Sequence, residues 1–173
     1  MRTVALILAL TAVACAEDGA GGLGAAPSPG FEVVERGTEP AGPMIEPSVV
    51  LVRGDLQAEA EAANAPAEGA AELIRSWDEL DERALLVVYG GTVPDAGTSV
   101  RVDDVALEQD ARHLIVAATL ESEEPALQVV SIAWAAVSLD ADLVARADTC
   151  ALVLDGREVP DAACSVAIPY ASK

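Results

Sequence analysis

The chain has 173 residues, of which 29 are acidic and 10 are basic, so its formal net charge is −19. This charge excludes general electrostatic binding to nucleic acid, which needs a basic surface, and it disfavours direct adsorption to anionic lipid headgroups. Hydrophobic residues make up 52% of the chain but aromatic residues only 3%, so a core has to be built from Val, Leu, Ile and Ala.

The N-terminus has the layout of a secretory signal. Arg2 precedes an apolar run from Val4 to Val13, which is shorter than the ~20 residues needed to span a bilayer. Two interpretations of the cleavage site remain open. Ala12-Val13-Ala14 fits an ordinary signal peptidase site, whereas the same residues followed by Cys15 resemble the lipobox of bacterial lipoproteins. We predict a signal peptide over residues 1–14, export to the bacterial cell envelope and a lipid anchor at Cys15, with loss of Cys15 in the signal as the alternative.

Residues 16–30 are dominated by Gly, Ala, Pro and Ser and show no apolar periodicity. Such a segment buries too little surface to offset the entropy of ordering it. The composition therefore predicts a flexible tether over residues 15–43, in which Phe31–Glu35 forms at most a short extended segment. A single globular domain over residues 44–173 follows, and its length of about 130 residues is sufficient for one core.

The first half of the domain predicts a strand and a helix. Pro47–Arg53 is a β-branched run typical of a strand, and Asp55–Ala63 is either a short helix or a linker. Ala67–Arg83 is the clearest helix, because apolar residues recur on one face at Ala70, Leu73, Ile74, Trp77 and Leu80. We interpret Trp77 as a core residue that docks this helix on a sheet.

After Arg83 the hydrophobic period changes to that of strands. The predicted strands are Ala84–Tyr89, Thr98–Leu107, Arg112–Glu121, the apolar run Leu127–Leu139, Cys150–Leu154 and Cys164–Ile168. Asp140–Ala147 is left open as a helical turn or a strand. Short strands separated by turn residues predict a mainly β (α+β) fold, an antiparallel sandwich or barrel-like sheet with one packed amphipathic helix.

With Cys15 assigned to the anchor or the signal, Cys150 and Cys164 remain as an even pair. In an exported protein this pair predicts one disulfide bond. Zinc is disfavoured, because two cysteines without a nearby histidine offer too few ligands.

No residue pattern predicts catalysis, a cofactor or a resident metal. A hydrolase would have to use His113, the only histidine, but no nucleophile signature accompanies it, and a surface histidine explains it better. None of the acidic clusters has the spacing of a calcium-binding loop, so only weak calcium binding at a turn remains open. The clusters are Asp78–Glu82, Asp103-Asp104, Glu121–Glu124 and Asp140–Asp142. Gly90-Gly91 lacks phosphate-loop spacing and is interpreted as a tight turn or bulge at a strand end.

The sequence LLVVYGGTVPDAGTSVRVDDV (Leu85–Val105), with the helix before it, resembles the C-terminal domain of the PrcB family. These bacterial lipoproteins are named for a subunit that stabilises a surface protease complex. The family pattern is a strand, a G-x-K-P-T-G-G-Y-like turn and an alternating strand. Gly91, Pro94 and Gly97 match, whereas Val93 replaces the lysine and the aromatic residue is lost. The resemblance extends from Ile45 to Gly156.

The resemblance implies an envelope-tethered, non-enzymatic accessory or protein-binding module whose partner is an envelope protease or another protein. We predict that the chain between two strands presents the partner loop, with Gly90, Gly91, Thr92, Pro94 and Gly97 as its candidate residues. The alternatives are a structural surface lipoprotein without a dedicated partner and a peptide binder that inhibits a protease.

Overall fold

The computed structural model describes residues 30–80, 82–108, 112–123, 127–160 and 163–166. The predicted signal peptide, Cys15 and the tether up to residue 29 lie outside the described residues. The side chain of Cys164 also lies outside them.

The described residues form two packed β-sheets and three helices. A five-stranded sheet has the order β1-β6-β3-β2-β9, and a four-stranded sheet has the order β4-β5-β7-β8. The strands are β1 Phe31–Pro40, β2 Ser48–Val52, β3 Arg83–Val93, β4 Thr98–Leu107, β5 His113–Ser122, β6 Ser131–Asp140, β7 Thr149–Leu154, β8 Arg157–Glu158 and β9 Ala163–Val166. The helices are α1 Asp55–Asn64, α2 Glu68–Ser76 and α3 Ala141–Val144. The predicted mainly β sandwich is confirmed, and the sheets do not close into a barrel.

Two strand pairs depart from the predicted antiparallel arrangement. The pairs β2–β9 and β5–β7 are parallel, while the other pairs are antiparallel. The pair β5–β7 is parallel because the chain leaves the four-stranded sheet after β5 and forms β6 in the other sheet. Strand β6 runs back to the end of the sandwich where β5 began, so β7 starts at that end and runs in the same direction as β5. A local turn pattern contains no information about such a crossing.

The core between the sheets follows the predicted alternation of side chains. Val100 and Val102 of β4 are buried, while Arg101 and Asp103 point to solvent. The next strand buries Leu114, Val116 and Ala118 in the same core. Each sheet therefore contributes one apolar face to a shared interior, as expected for a β-sandwich.

The helices α1 and α2 cover the other face of the five-stranded sheet. Their buried side chains are mostly alanines, which let helix and sheet approach closely; they include Ala58, Ala62, Ala70, Ala71 and Ile74. They pack against Leu85, Val87, Tyr89 and Trp134. The helical alternative for the segment beginning at Asp55 is therefore correct, and two helices cover this face instead of the one predicted. The helical turn left open after Asp140 is also found, as α3.

The helix predicted over Ala67–Arg83 ends at Ser76. Trp77 has extended backbone angles (φ −72°, ψ 111°), and the amide of Arg83 donates to the carbonyl of Glu79 over 2.8 Å. Trp77 and Leu80 still pack in the layer between helices and sheet, as predicted for Trp77. The apolar spacing continues past the helix because the loop returns over the same apolar surface, so spacing alone does not reveal where the helix ends.

The prediction that the tether extends to residue 43 is wrong beyond residue 30. Phe31–Pro40 forms β1, which pairs with β6 along its length. As an edge strand, β1 has no fully buried residue and lacks the apolar alternation of a core strand. Its long-range contacts involve Trp134, whose indole covers Gly37 so closely that an added Cβ would be 2.6 Å from the ring. The globular domain therefore includes residues before 44.

Candidate functional site

Two of the predicted loop residues, Gly90 and Gly91, lie inside the fold. The register of β3 against β6 shifts between Tyr89 and Thr92, so the glycines form a β-bulge within the strand. Gly91 has φ +82°, a conformation that side chains disfavour. A Cβ on Gly90 would lie 2.7 Å from Leu120 Cδ2. The bulge is confirmed, but its predicted place at a strand end is wrong, because β3 continues to Val93. Both glycines are buried, so neither is presented to a partner.

The presented part of the loop is the turn Pro94–Gly97. Asp95 Oδ1 accepts hydrogen bonds from the amide of Gly97 at 3.0 Å and from the hydroxyl of Thr98 at 2.9 Å. This Asx arrangement replaces the turn expected from the PrcB pattern and leaves Pro94 and Ala96 exposed. Thr92 is half-buried, and its hydroxyl accepts from the amide of Ile45 at 2.8 Å.

The turn lies among an unusual number of exposed apolar side chains at one end of the sandwich. Seven large hydrophobic side chains are exposed among the described residues, and four of them belong to this end: Met44 (86%), Leu127 (77%), Val130 (55%) and Val129 (42%). We define the apolar rim as these four residues together with Pro94 and Ala96.

Backbone hydrogen bonds connect the three chain segments that form the apolar rim. The amide of Ala96 donates to the carbonyl of Leu127 at 3.0 Å, and the amide of Ala41 donates to the carbonyl of Val130 at 2.8 Å. The amide of Thr92 donates to the carbonyl of Ile45 at 3.1 Å. The rim is therefore fixed by the ends of β1, β3 and β6.

Sequence reasoning missed Leu127, Val129 and Val130 as surface residues. They were included in the apolar run Leu127–Leu139, but β6 begins only at Ser131. At that point β6 pairs with Pro40 of β1 and Val93 of β3, where both neighbouring strands end. Residues 127–130 thus lie beyond the described ends of both neighbouring strands, which no local sequence pattern reveals.

The remaining polar groups named from the sequence are His113 and the acidic clusters. His113 Nδ1 lies 2.9 Å from the hydroxyl of Thr149 on the outer face of the four-stranded sheet. In the part of the chain that the structure describes, no group of three or more His, Cys, Asp or Glu side chains is placed to hold a metal ion. The contact between His113 and Thr149 agrees with the expectation that His113 is a surface histidine.

A polar network crosses the outer face of β4 and β5. The hydroxyl of Thr119 donates to Asp103 Oδ2 at 2.6 Å, and this bond is the main cause that lowers the pKa of Asp103. Arg101 pairs with Asp103 and with Glu121, and the Asp103 bond is the main cause that raises the pKa of Arg101. The network lies at the surface and connects side chains of β4 to side chains of the neighbouring strand β5.

Tyr89 is an unusual buried polar group beneath the helices. The side chain is 1% exposed, and its hydroxyl has no hydrogen-bond partner among the described residues. Burial raises the pKa of the Tyr89 phenol, and the carboxylates of Glu61 and Glu39 raise it further. A neutral phenol enclosed in this way has no access to a substrate.

The predicted disulfide is described in part. Cys150, near the start of β7, is disulfide-bonded. Cys164 lies on β9 beside Val49 of β2, and β9 packs against β7. Because the Cys164 side chain is outside the described residues, the pairing of these two cysteines stays a prediction.

The chain matches no protein-family model, no curated protein and no solved structure. The resemblance to the PrcB family therefore depends on the residues quoted above and stays a prediction. Over the described ranges, no helix has the length and apolar character needed to cross a bilayer.

Proposed function

We propose that the protein is an exported, lipid-anchored envelope protein whose β domain acts as a non-enzymatic accessory module, with the apolar rim as its protein contact surface. The observation that carries the proposal is the concentration of exposed apolar side chains at one end of an otherwise well-packed domain. Contiguous exposed apolar patches typically mark interaction sites. The backbone bonds that connect the rim support binding further, because a preformed surface loses little conformational freedom.

The direction of β1 is consistent with an anchor at Cys15. Phe31 pairs with Leu139 at the end of the sandwich opposite the apolar rim, and Pro40 pairs with Ser131 beside the rim. A strand of 10 residues spans ~33 Å. A chain arriving from a membrane therefore enters the domain at the far end, an orientation that favours displaying the rim away from the lipid.

The PrcB resemblance suggests the identity of the partner. On that analogy, the module would dock on an envelope protease and stabilise its complex. The even pair of cysteines separately favours a Cys150–Cys164 bridge, which would hold β7 to β9. Such a bridge typically contributes ~3 kcal/mol in a loop of this size. The turn Pro94–Gly97 is the part of the family motif that reaches the surface here.

The proposal is tested by site-specific photo-crosslinking in the native envelope. The full chain is expressed with a photo-crosslinking amino acid at position 127, in the apolar rim, or at position 56 as a matched control. Leu56 lies on α1 and is 88% exposed, so it matches Leu127 in residue type and accessibility.

One discrete crosslinked protein obtained at position 127 and absent at position 56 is the expected result. Equal patterns at both positions, or none at 127, would contradict a binding role for the rim and favour a structural lipoprotein. The anchor is checked separately by partition of the chain into detergent, which Cys15→Ala should abolish.

A further inference from the structure

We infer that the apolar rim receives a protein segment that combines apolar side chains with lysine or arginine. This inference rests on the proposed function and adds the chemistry of the partner. Glu46 and Glu123 are exposed next to the rim, and Asp95 lies within its turn. The segments 41–47, 94–98, 121–123 and 127–130 contain four carboxylates and no lysine or arginine. The rim is thus an apolar centre with a border of one charge sign.

Of the carboxylates in these segments, Glu121 already has basic partners. Arg101 and Arg36 both pair with Glu121, the latter at 3.9 Å. In the part of the chain that is described, neither Glu46 nor Glu123 takes part in an ion pair. A cationic side chain from a partner would therefore meet two carboxylates, those of Glu46 and Glu123, that no arginine among the described residues pairs with. Such complementarity chiefly sets the orientation and rate of docking.

The same border disfavours two other occupants. An anionic membrane surface would be repelled by Glu46 and Glu123, and the net charge of −19 adds to this repulsion. A second copy of the chain docking through the same rim would place these carboxylates against one another. A basic and apolar protein segment is the occupant that satisfies both the apolar centre and the acidic border.

The hydrogen bonds of the rim indicate how the segment docks. The carbonyl of Leu127 accepts from Ala96 and, at 2.8 Å, from Val129. The carbonyl of Val129 accepts from the hydroxyl of Ser131 at 2.8 Å, and the carbonyl of Val130 accepts from Ala41. Because these three carbonyls already accept hydrogen bonds, we expect the segment to bind mainly through its side chains.

The test compares three synthetic peptides of equal length on the full chain carrying Cys15→Ser. The peptides alternate leucine with lysine, leucine with glutamate, and serine with lysine, and binding is followed by NMR shifts of the rim residues. The leucine–lysine peptide should bind about tenfold more tightly than either of the others. Leu127→Ser should weaken it about tenfold, and Leu56→Ser should leave it unchanged.

The charge border is tested with the double variant Glu46→Gln/Glu123→Gln. We expect this variant to lose most of the preference for the leucine–lysine peptide over the leucine–glutamate peptide, while Asp95 and the remaining negative net charge keep a small part of it. Equal affinity already in the unsubstituted protein, preference for anionic vesicles, or dimerisation through the rim would each overturn the inference. A crosslink at position 127 with any of these results would leave the proposed function standing, whereas absence of that crosslink would remove the proposed function itself.

Discussion

The substitution Gly90→Ala tests whether Gly90 lies in the core or in an exposed loop. The added Cβ would lie 2.7 Å from Leu120 Cδ2 and 2.8 Å from Val100 Cγ2. Overpacking of this kind destabilises a core by about 1–3 kcal/mol. Alanine also lowers the conformational entropy of the unfolded chain, which offsets about 0.4–1 kcal/mol of this loss. We expect the free energy of unfolding to fall by about 1–2 kcal/mol, because Val100 is β-branched and cannot rotate away within its strand.

Urea denaturation measures this loss, with Gly42→Ala as the matched control. A Cβ on Gly42 would have no atom within 4 Å, so its effect should stay within about 0.5 kcal/mol. In a Leu120→Ala background, one of the two clashing atoms is gone, and the cost of Gly90→Ala should fall by about 1 kcal/mol. If Gly90→Ala is as stable as the parent, the buried position of Gly90 is refuted, and an equal cost in both backgrounds would refute its contact with Leu120.

Three further substitutions test groups elsewhere in the fold. Tyr89→Phe removes the buried hydroxyl that lacks a partner, so thermal denaturation should show a gain of about 1 kcal/mol; a loss would show that the hydroxyl is bonded. Glu39→Ala removes the acceptor that binds the Trp134 indole at 3.0 Å and two amides at the start of α2 at 2.8 and 2.9 Å. Urea denaturation should show a loss of about 2 kcal/mol, with Glu39→Gln intermediate, and equal stability of the three proteins would contradict this role. The hydrogen bond from Thr119 lowers the pKa of Asp103 below its ordinary 3.8. The ionised Asp103 side chain therefore stabilises the fold above pH 3.8, and this stabilisation is lost as the pH falls through the lowered pKa of the folded state. The stability difference between the parent and Asp103→Asn should be at most about 1 kcal/mol near neutrality and vanish in acid, and a difference that grows on acidification would refute the sign.

Elements whose two faces differ in environment were predictable from the sequence. The predicted strand Thr98–Leu107 has the bounds of β4, because its inward valines and outward charges alternate with the period of a strand on both sides of a bulge at Asp103. The apolar stripe of α2 likewise predicted Ala70 and Ile74 as buried residues. In each case the information lies within one segment.

Elements fixed by distant residues were not predictable in this way. Glu39 and the Trp134 indole lie 95 residues apart in sequence, and their bond helps to fix an edge strand that looks like a linker. The apolar rim depends on where the strands beside Ser131 end, which is a property of the sheet. Of the predicted partner loop, the part Pro94–Gly97 does lie at the surface, whereas Gly90 and Gly91 were wrongly placed there.

The bulge and the turn have separate roles that govern how the apolar rim is to be tested. Beyond the bulge, Thr92 pairs with Ile132 and Val93 with Ser131, so β3 continues along β6 up to the turn. The buried glycines therefore determine where Ala96 meets Leu127. A substitution at Gly90 or Gly91 disturbs both the core and the rim, and loss of binding in such a variant would not identify a contact residue. Substitutions at the exposed Ala96 and Leu127 leave the core unchanged, so they are the ones that measure recognition.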